Sequence, residues 1–287
     1  MERAMSLPQG MSLATLAPGV DQILLAGDGF SARIALLGGQ LIDYRRDGEP
    51  PLLYLSPQTA CQPGKAIRGG VPVCWPWFGP HPSDAGLPAH GVARQQIWRL
   101  SDAGRDGKVF HVKLDGPRHG GLAAELDFRI GPDGAEIALT TANLGDAAQT
   151  VGAALHSYFA VSGIDKVDLL GLESAPAHDK VAGLRVNLPA LPLRFDGETD
   201  LIAYRGGLVT LRDAGWRRDI RIESAGSHSA VVWNPAQDKA QKLADLPDGD
   251  WRRFVCVETA NAGDDARALA PGERHRLACR LHFSCHD

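Results

Sequence analysis

The sequence is poor in several features that announce common functions. Its 287 residues hold five cysteines (Cys61, Cys74, Cys256, Cys279 and Cys285), scattered and without a CxxC pair. An odd, dispersed set argues against a disulfide framework and against a thiolate zinc centre. It predicts buried thiols in a reducing compartment. No apolar run approaches a membrane span, and the opening stretch MERAMSLPQG lacks an apolar segment of signal-peptide length. No membrane association is therefore expected, and the expected location is the cytoplasm. The charge is nearly balanced, with 30 Lys+Arg against 34 Asp+Glu. No basic run is present, which excludes an extended nucleic-acid surface and leaves room only for local positive charge suited to a small anion. A GxGxxG turn after a strand, a P-loop, HExxH, EF-hand spacing and a GxSxG elbow are all missing. Nothing calls for a nucleotide, a metal or a covalent serine, and no cofactor is expected. Helical periodicity is scarce as well; QDKAQKLADL at 237–246 is the best candidate and is short.

What the chain does have is alternation. DQILLA, ARIALLGGQLIDYRR, VFHVKLDG, AELDFRIG, AEIALTTANLG, KVDLLGL, LVTLRDAG and DIRIESAG all read as strands. GPDG at 131–134 lies between two alternating runs and predicts a hairpin, and RRDG at 45–48 and GRDG at 104–107 read as further turns. Many strands with close turns and almost no helix predict an all-β fold, a large antiparallel sandwich. No repeat, low-complexity linker or composition break divides the chain, so one domain over 1–287 is expected, with 1–20 peripheral.

The densest stretch is RGGVPVCWPWFGPH at 68–81, followed by LPAHGVAR at 87–94. Prolines fix φ and remove donors, and glycines admit a close backbone approach, so this segment predicts a rigid extended loop. Its aromatics either plug one end of the sandwich or wall a site; both roles are compatible. Arg68 before the loop and Arg94 behind it are candidates for an anion site, because guanidinium forks match phosphate oxygens. His90 lies four residues before Arg94. His156 interrupts the apolar run VGAALHSYF, and Glu258 sits in the apolar run FVCVETAN, where a buried carboxylate is costly without a partner or a purpose. From its own segment, His156 also reads as a satisfied core histidine. If both face one cleft, an imidazole and a carboxylate form an acid–base pair. Asp200, in the acidic and turn-like stretch FDGETDLIAY, either binds hydroxyls or solvates a loop.

Taken together and in order, IRGGVPVCWPWFGPH, LPAHGVAR, LHSYFAV, GETDLIAY, VVWNP, FVCVETAN and L-x-PGE resemble the hexose-6-phosphate mutarotases of the aldose-1-epimerase superfamily, from about residue 20 to the end. The resemblance implies a galactose-mutarotase-like β-sandwich (supersandwich) without a cofactor. It implies that His156 and Glu258 are the catalytic pair. It also implies that Arg68 and Arg94 hold a phosphate, that Asp200 contacts the substrate and that His90 lies near the sugar. Leu201 follows Asp200 where relatives commonly carry an arginine. The implied reaction is anomer interconversion of a hexose 6-phosphate. Glu258 takes the proton of the C1 hydroxyl and a protonated His156, its pKa raised by the neighbouring carboxylate, donates to the ring oxygen. The expected partner is a small sugar phosphate, bound by a monomer. An epimerase of unphosphorylated sugars and a non-catalytic carbohydrate-binding sandwich are the rival readings.

Overall fold

The computed structural model describes residues 6–285. Residues 1–5 of the N-terminal stretch lie outside them. Strands dominate, arranged chiefly in two eight-stranded sheets and one four-stranded sheet. The outer large sheet runs in the order Val167–Leu170, Leu208–Asp213, Arg218–Ala225, Arg274–Cys285, Gly134–Asn143, Leu122–Gly131, Val109–His119 and Arg99–Asp106. Its pairings are antiparallel. The hairpin at 131–134 is present, with Gly131 opposite Gly134. Strand Leu122–Gly131 alternates buried and half-exposed side chains, as a sheet with one face on the core requires.

The second large sheet carries the site. Its order is Leu184–Asn187, Pro176–Asp179, Thr199–Ala203, Ser229–Asn234, Phe254–Asn261, Ala153–Leu155 and Val73–Cys74, with Tyr158–Ala160 also paired to Phe254–Asn261. All eight residues of Phe254–Asn261 are buried, which explains why FVCVETAN reads as a continuous run rather than an alternation. One hydrophobic core joins the three sheets. Ile23 and Ile34 come from the four-stranded sheet, Leu126 and Leu139 from the outer sheet, and Leu155 and Val257 from the site sheet. The first strand, Met11–Ala17, is the edge of the four-stranded sheet, and its Met11 side chain enters that core.

Three expectations change. ARIALLGGQLIDYRR is not one strand but two, Phe30–Ala35 and Gln40–Arg46, because the chain reverses at the Gly38–Gly39 pair, where both φ angles are positive. The helix expected over 237–246 is a single α-turn at Ala236–Ala240. Asp200 lies on the regular strand Thr199–Ala203, opposite Trp233, rather than in a turn. Pairing to a buried neighbour strand outweighs the turn-like composition of FDGETD. Among the described residues, no helix is long and apolar enough to cross a membrane.

Candidate active site

Strand pairing brings His156 and Glu258 together. Ala153–Leu155 and Tyr158–Ala160 both pair with Phe254–Asn261, Leu155 opposite Thr259 and Tyr158 opposite Cys256. His156 and Ser157 fall in the break between the two short strands, so His156 is not on a strand as its flanks suggest. Its amide leaves the ladder and donates to the Pro72 carbonyl at 2.9 Å. The proline-rich loop thus fixes the backbone of the histidine. His156 Nε2 lies 3.3 Å from Glu258 Oε1, and both side chains are almost wholly buried. His156 Nδ1 and Glu258 Oε2 are buried and have no hydrogen-bond partner among the described residues, an arrangement that costs free energy unless a ligand completes it.

The pair opens into a cavity of about 250 Å³. Every residue singled out in the sequence lines it: Arg68, His90, Arg94, His156, Asp200 and Glu258. The wall also contains Phe78, Lys180, Val231, Trp233 and Lys239. The two lysines were not legible. Lys180 is the turn residue after the strand Pro176–Asp179 and Lys239 sits in the short α-turn, contexts in which a lysine normally only solvates a surface. Lys180 Nζ lies 3.2 Å from Asp200 Oδ1, and Lys239 Nζ lies 2.7 Å from Glu198 Oε1. A larger cavity of about 700 Å³, lined among others by Asp165, Phe195, Asp196, Glu198, Asp238 and Trp251, gathers carboxylates but no histidine.

The loop answers both readings of its aromatics. Trp75 is in the core, its indole N–H donating to Thr141 Oγ1 at 3.0 Å, whereas Phe78 faces the cavity and packs edge-on against His90. Hydrogen bonds tie the loop to the segment 88–94. Trp77 Nε1 donates to Pro88 O, His90 N to Gly79 O and Val92 N to Trp75 O. The approach is so close that a Cβ on Gly91 would stand 1.9 Å from the Trp75 carbonyl oxygen, and the residue has φ +74. Only glycine meets both conditions. Gly69, beside Arg68, is equally constrained: a Cβ there would lie 2.4 Å from Tyr54 O, at φ +113.

The two arginines differ. Arg68 is braced by Asp245 at 3.1 Å and donates to Tyr158 Oη at 3.0 Å. Among the described residues, the Arg94 side chain makes one hydrogen bond, to Ala89 O at 2.9 Å, and its buried Nε has no partner. Arg94 is therefore the guanidinium with unmet donors.

Burial governs the titration of the pair. It pushes His156 well below the ordinary imidazole value, and His90, Arg94 and Arg68 push the same way. Burial raises Glu258 well above the ordinary carboxylate value, aided by Asp200 and opposed by Lys180 and Arg94. The expectation that the carboxylate would raise His156 is corrected. Removal from water and surrounding positive charge outweigh one buried carboxylate that is itself pushed toward neutrality. His90 is lowered to about 3, first by burial and then by Arg94, Lys180 and Arg68. A neutral His90 agrees with its Nδ1 accepting from the Gly79 amide at 3.4 Å. Among the described residues, no group of three or more His, Cys, Asp or Glu side chains could hold a metal ion.

This architecture has close relatives. The sequence model of the Aldose 1-epimerase family matches residues 21–282. A protein of Escherichia coli K12 named "Putative glucose-6-phosphate 1-epimerase" is 34% identical over 268 residues, covering 89% of this chain and 88% of its own. The crystal structure of a "putative mutarotase" from Salmonella typhimurium superposes with a TM-score of 0.90 at 28% identity, covering 98% of this chain and 96% of that one. A galactose mutarotase-like protein from Clostridium acetobutylicum, at 13% identity and a TM-score of 0.71, covers 96% of this chain and 98% of its own and shares the fold. The fold is the galactose mutarotase-like antiparallel β-sandwich, and the chain belongs to the aldose 1-epimerase family.

Proposed function

We propose that the protein interconverts the α and β anomers of a hexose 6-phosphate, glucose 6-phosphate first among them. The observation that carries this reading is the buried His156–Glu258 contact of 3.3 Å opening into a small cavity whose wall also holds Arg68, Arg94, Lys180 and Lys239. An acid–base pair alone suits any aldose. Four cations around it suit one that carries a phosphate. The names of the curated relatives support the same substrate.

In this mechanism Glu258 takes the proton of the C1 hydroxyl and His156 donates one to the ring oxygen. The C1–O5 bond breaks, leaving the aldehyde. Rotation about C1–C2 and reversal of both proton transfers close the other anomer. Glu258 must act as carboxylate and His156 as imidazolium, against the bias of burial. The substrate supplies part of the correction. A phosphate at Arg68 and Arg94 offsets two of the positive charges that depress His156, so its pKa rises on binding. Lys180 and Arg94 already favour the Glu258 carboxylate. Asp200, held by Lys180, accepts from a sugar hydroxyl, and His90 and Trp233 form the wall beside the ring. The free thiols of Cys61, Cys74, Cys256 and Cys279 accord with a reducing cytoplasm. The core shared by the three sheets supports reading the chain as one catalytic domain.

The test is anomer exchange followed by saturation-transfer NMR, with glucose 6-phosphate beside free glucose and galactose. Faster exchange of the phosphate ester is expected. Preference for a free sugar would transfer the assignment to an unphosphorylated aldose, and no exchange of any of them would end it.

A further inference from the structure

One contact chain runs from the anion-binding side of the cavity to the acid–base pair. Asp245 grips Arg68, with Nε to Oδ2 at 3.1 Å and a second nitrogen 3.1 Å from Oδ1. Arg68 donates from its other terminal nitrogen to Tyr158 Oη at 3.0 Å. Three of the guanidinium nitrogens are thus committed, in a plane set by two partners. The Tyr158 ring lies face to face with the His156 imidazole, centroids 4.9 Å apart and planes 10° apart. His156 in turn meets Glu258. Tyr158 is itself fixed: its side chain is buried, Phe254 packs behind it at 5.2 Å, and its amide donates to Gly70 O. A buried tyrosine whose ring and hydroxyl serve different partners is a rigid spacer, because it has few rotamers and each is packed.

The geometry points to Tyr158 as a positioning residue: its hydroxyl fixes the Arg68 guanidinium and its ring fixes the plane of His156, so that one side chain sets the bound phosphate and the proton donor in register. The inference rests on the hexose-phosphate reading and names the residue that links its two halves. The two functions are separable. Removing the hydroxyl frees Arg68 but keeps the stack, whereas removing the ring also frees His156.

Tyr158→Phe and Tyr158→Leu separate them. Anomer exchange, the Kd of inorganic phosphate and the pH titration of the His156 imidazole by NMR are measured on each, with thermal melting to confirm the fold. For Tyr158→Phe, losing a hydrogen bond to a charged group raises the phosphate Kd and the KM for glucose 6-phosphate about tenfold. kcat and the His156 titration move far less. For Tyr158→Leu, kcat falls in addition and the His156 titration shifts upward as water reaches the ring. A Tyr158→Phe protein that binds phosphate like the wild type overturns the anchoring role. A folded Tyr158→Leu protein with wild-type kcat and an unmoved His156 titration overturns the ring's role. Should the wild type fail to exchange sugar phosphates at all, the functional reading fails. Phosphate affinity and the His156 titration still decide the role of Tyr158.

Discussion

Replacing Glu258 by glutamine tests the acid–base pair most directly, because activity and stability should move in opposite directions. Glu258 is 1% exposed on a fully buried strand, and glutamine matches its shape, so the fold should hold. Activity should fall by about 10²–10⁴-fold, the usual worth of a general acid or base. Stability should not fall with it. Burial holds the Glu258 pKa above its unfolded value of 4.5, so the folded state binds the proton more tightly than the unfolded chain. The favourable contribution of that proton is complete below 4.5 and is lost as pH rises through the folded value. Above that window the wild type carries a penalty for a buried carboxylate that the amide does not. The melting-temperature difference, variant minus wild type, should therefore grow more positive from about pH 4.5 upward. Groups that act in one proton cycle are non-additive, so Glu258→Gln with His156→Asn should be hardly slower than the poorer single variant. The assay is saturation-transfer NMR of anomer exchange in the four proteins, with melting curves from about pH 4, just below the ordinary carboxylate value, up to neutral pH and beyond. A folded Glu258→Gln protein exchanging anomers at near the wild-type rate would refute the reasoning. A large, pH-independent loss of melting temperature would show instead that Glu258 is a structural partner of His156.

Arg94→Ala should raise the KM for glucose 6-phosphate by roughly tenfold or more, the worth of a charge-assisted contact of about 1.5–3 kcal/mol, and change the exchange of free glucose far less. Equal losses on both substrates in steady-state kinetics would remove Arg94 from the phosphate site. Exhaustive EDTA treatment should leave the exchange rate intact; loss restored by a divalent ion would contradict the metal-free mechanism. His90, lowered from 6.5 to about 3, binds its proton more readily in the unfolded chain, so its contribution to stability is complete above pH 6.5 and lost as pH falls toward 3. A folded His90→Gln protein should accordingly show a flatter decline of melting temperature over that interval, and an unchanged slope would mean that His90 does not titrate in this way.

Much of the fold was legible before any tertiary contact was known. Period-two alternation located the strands of the outer sheet, and GPDG located a hairpin, because these signals depend only on local backbone preference and on one buried face. His156 and Glu258 stood out for a related reason: a titratable side chain in an apolar run is costly to bury, and its presence asks for a partner. The rigid loop at 68–81 was likewise visible, since proline and glycine act on their own φ angles. What lay beyond the sequence depended on contacts between distant segments. Only the register of Leu155 against Thr259 and Tyr158 against Cys256 places the imidazole on the carboxylate. Lys180 and Lys239 carry no local mark of a site; they follow Pro176–Asp179 and Ser229–Asn234, the two strands that flank Thr199–Ala203, and the sheet order with the turns after those strands brings them to its wall. The direction of the His156 shift was decided the same way. A carboxylate neighbour on its own would raise that pKa; the depth of burial and the arginines gathered around the ring lower it, and both are properties of the folded volume rather than of any stretch of chain.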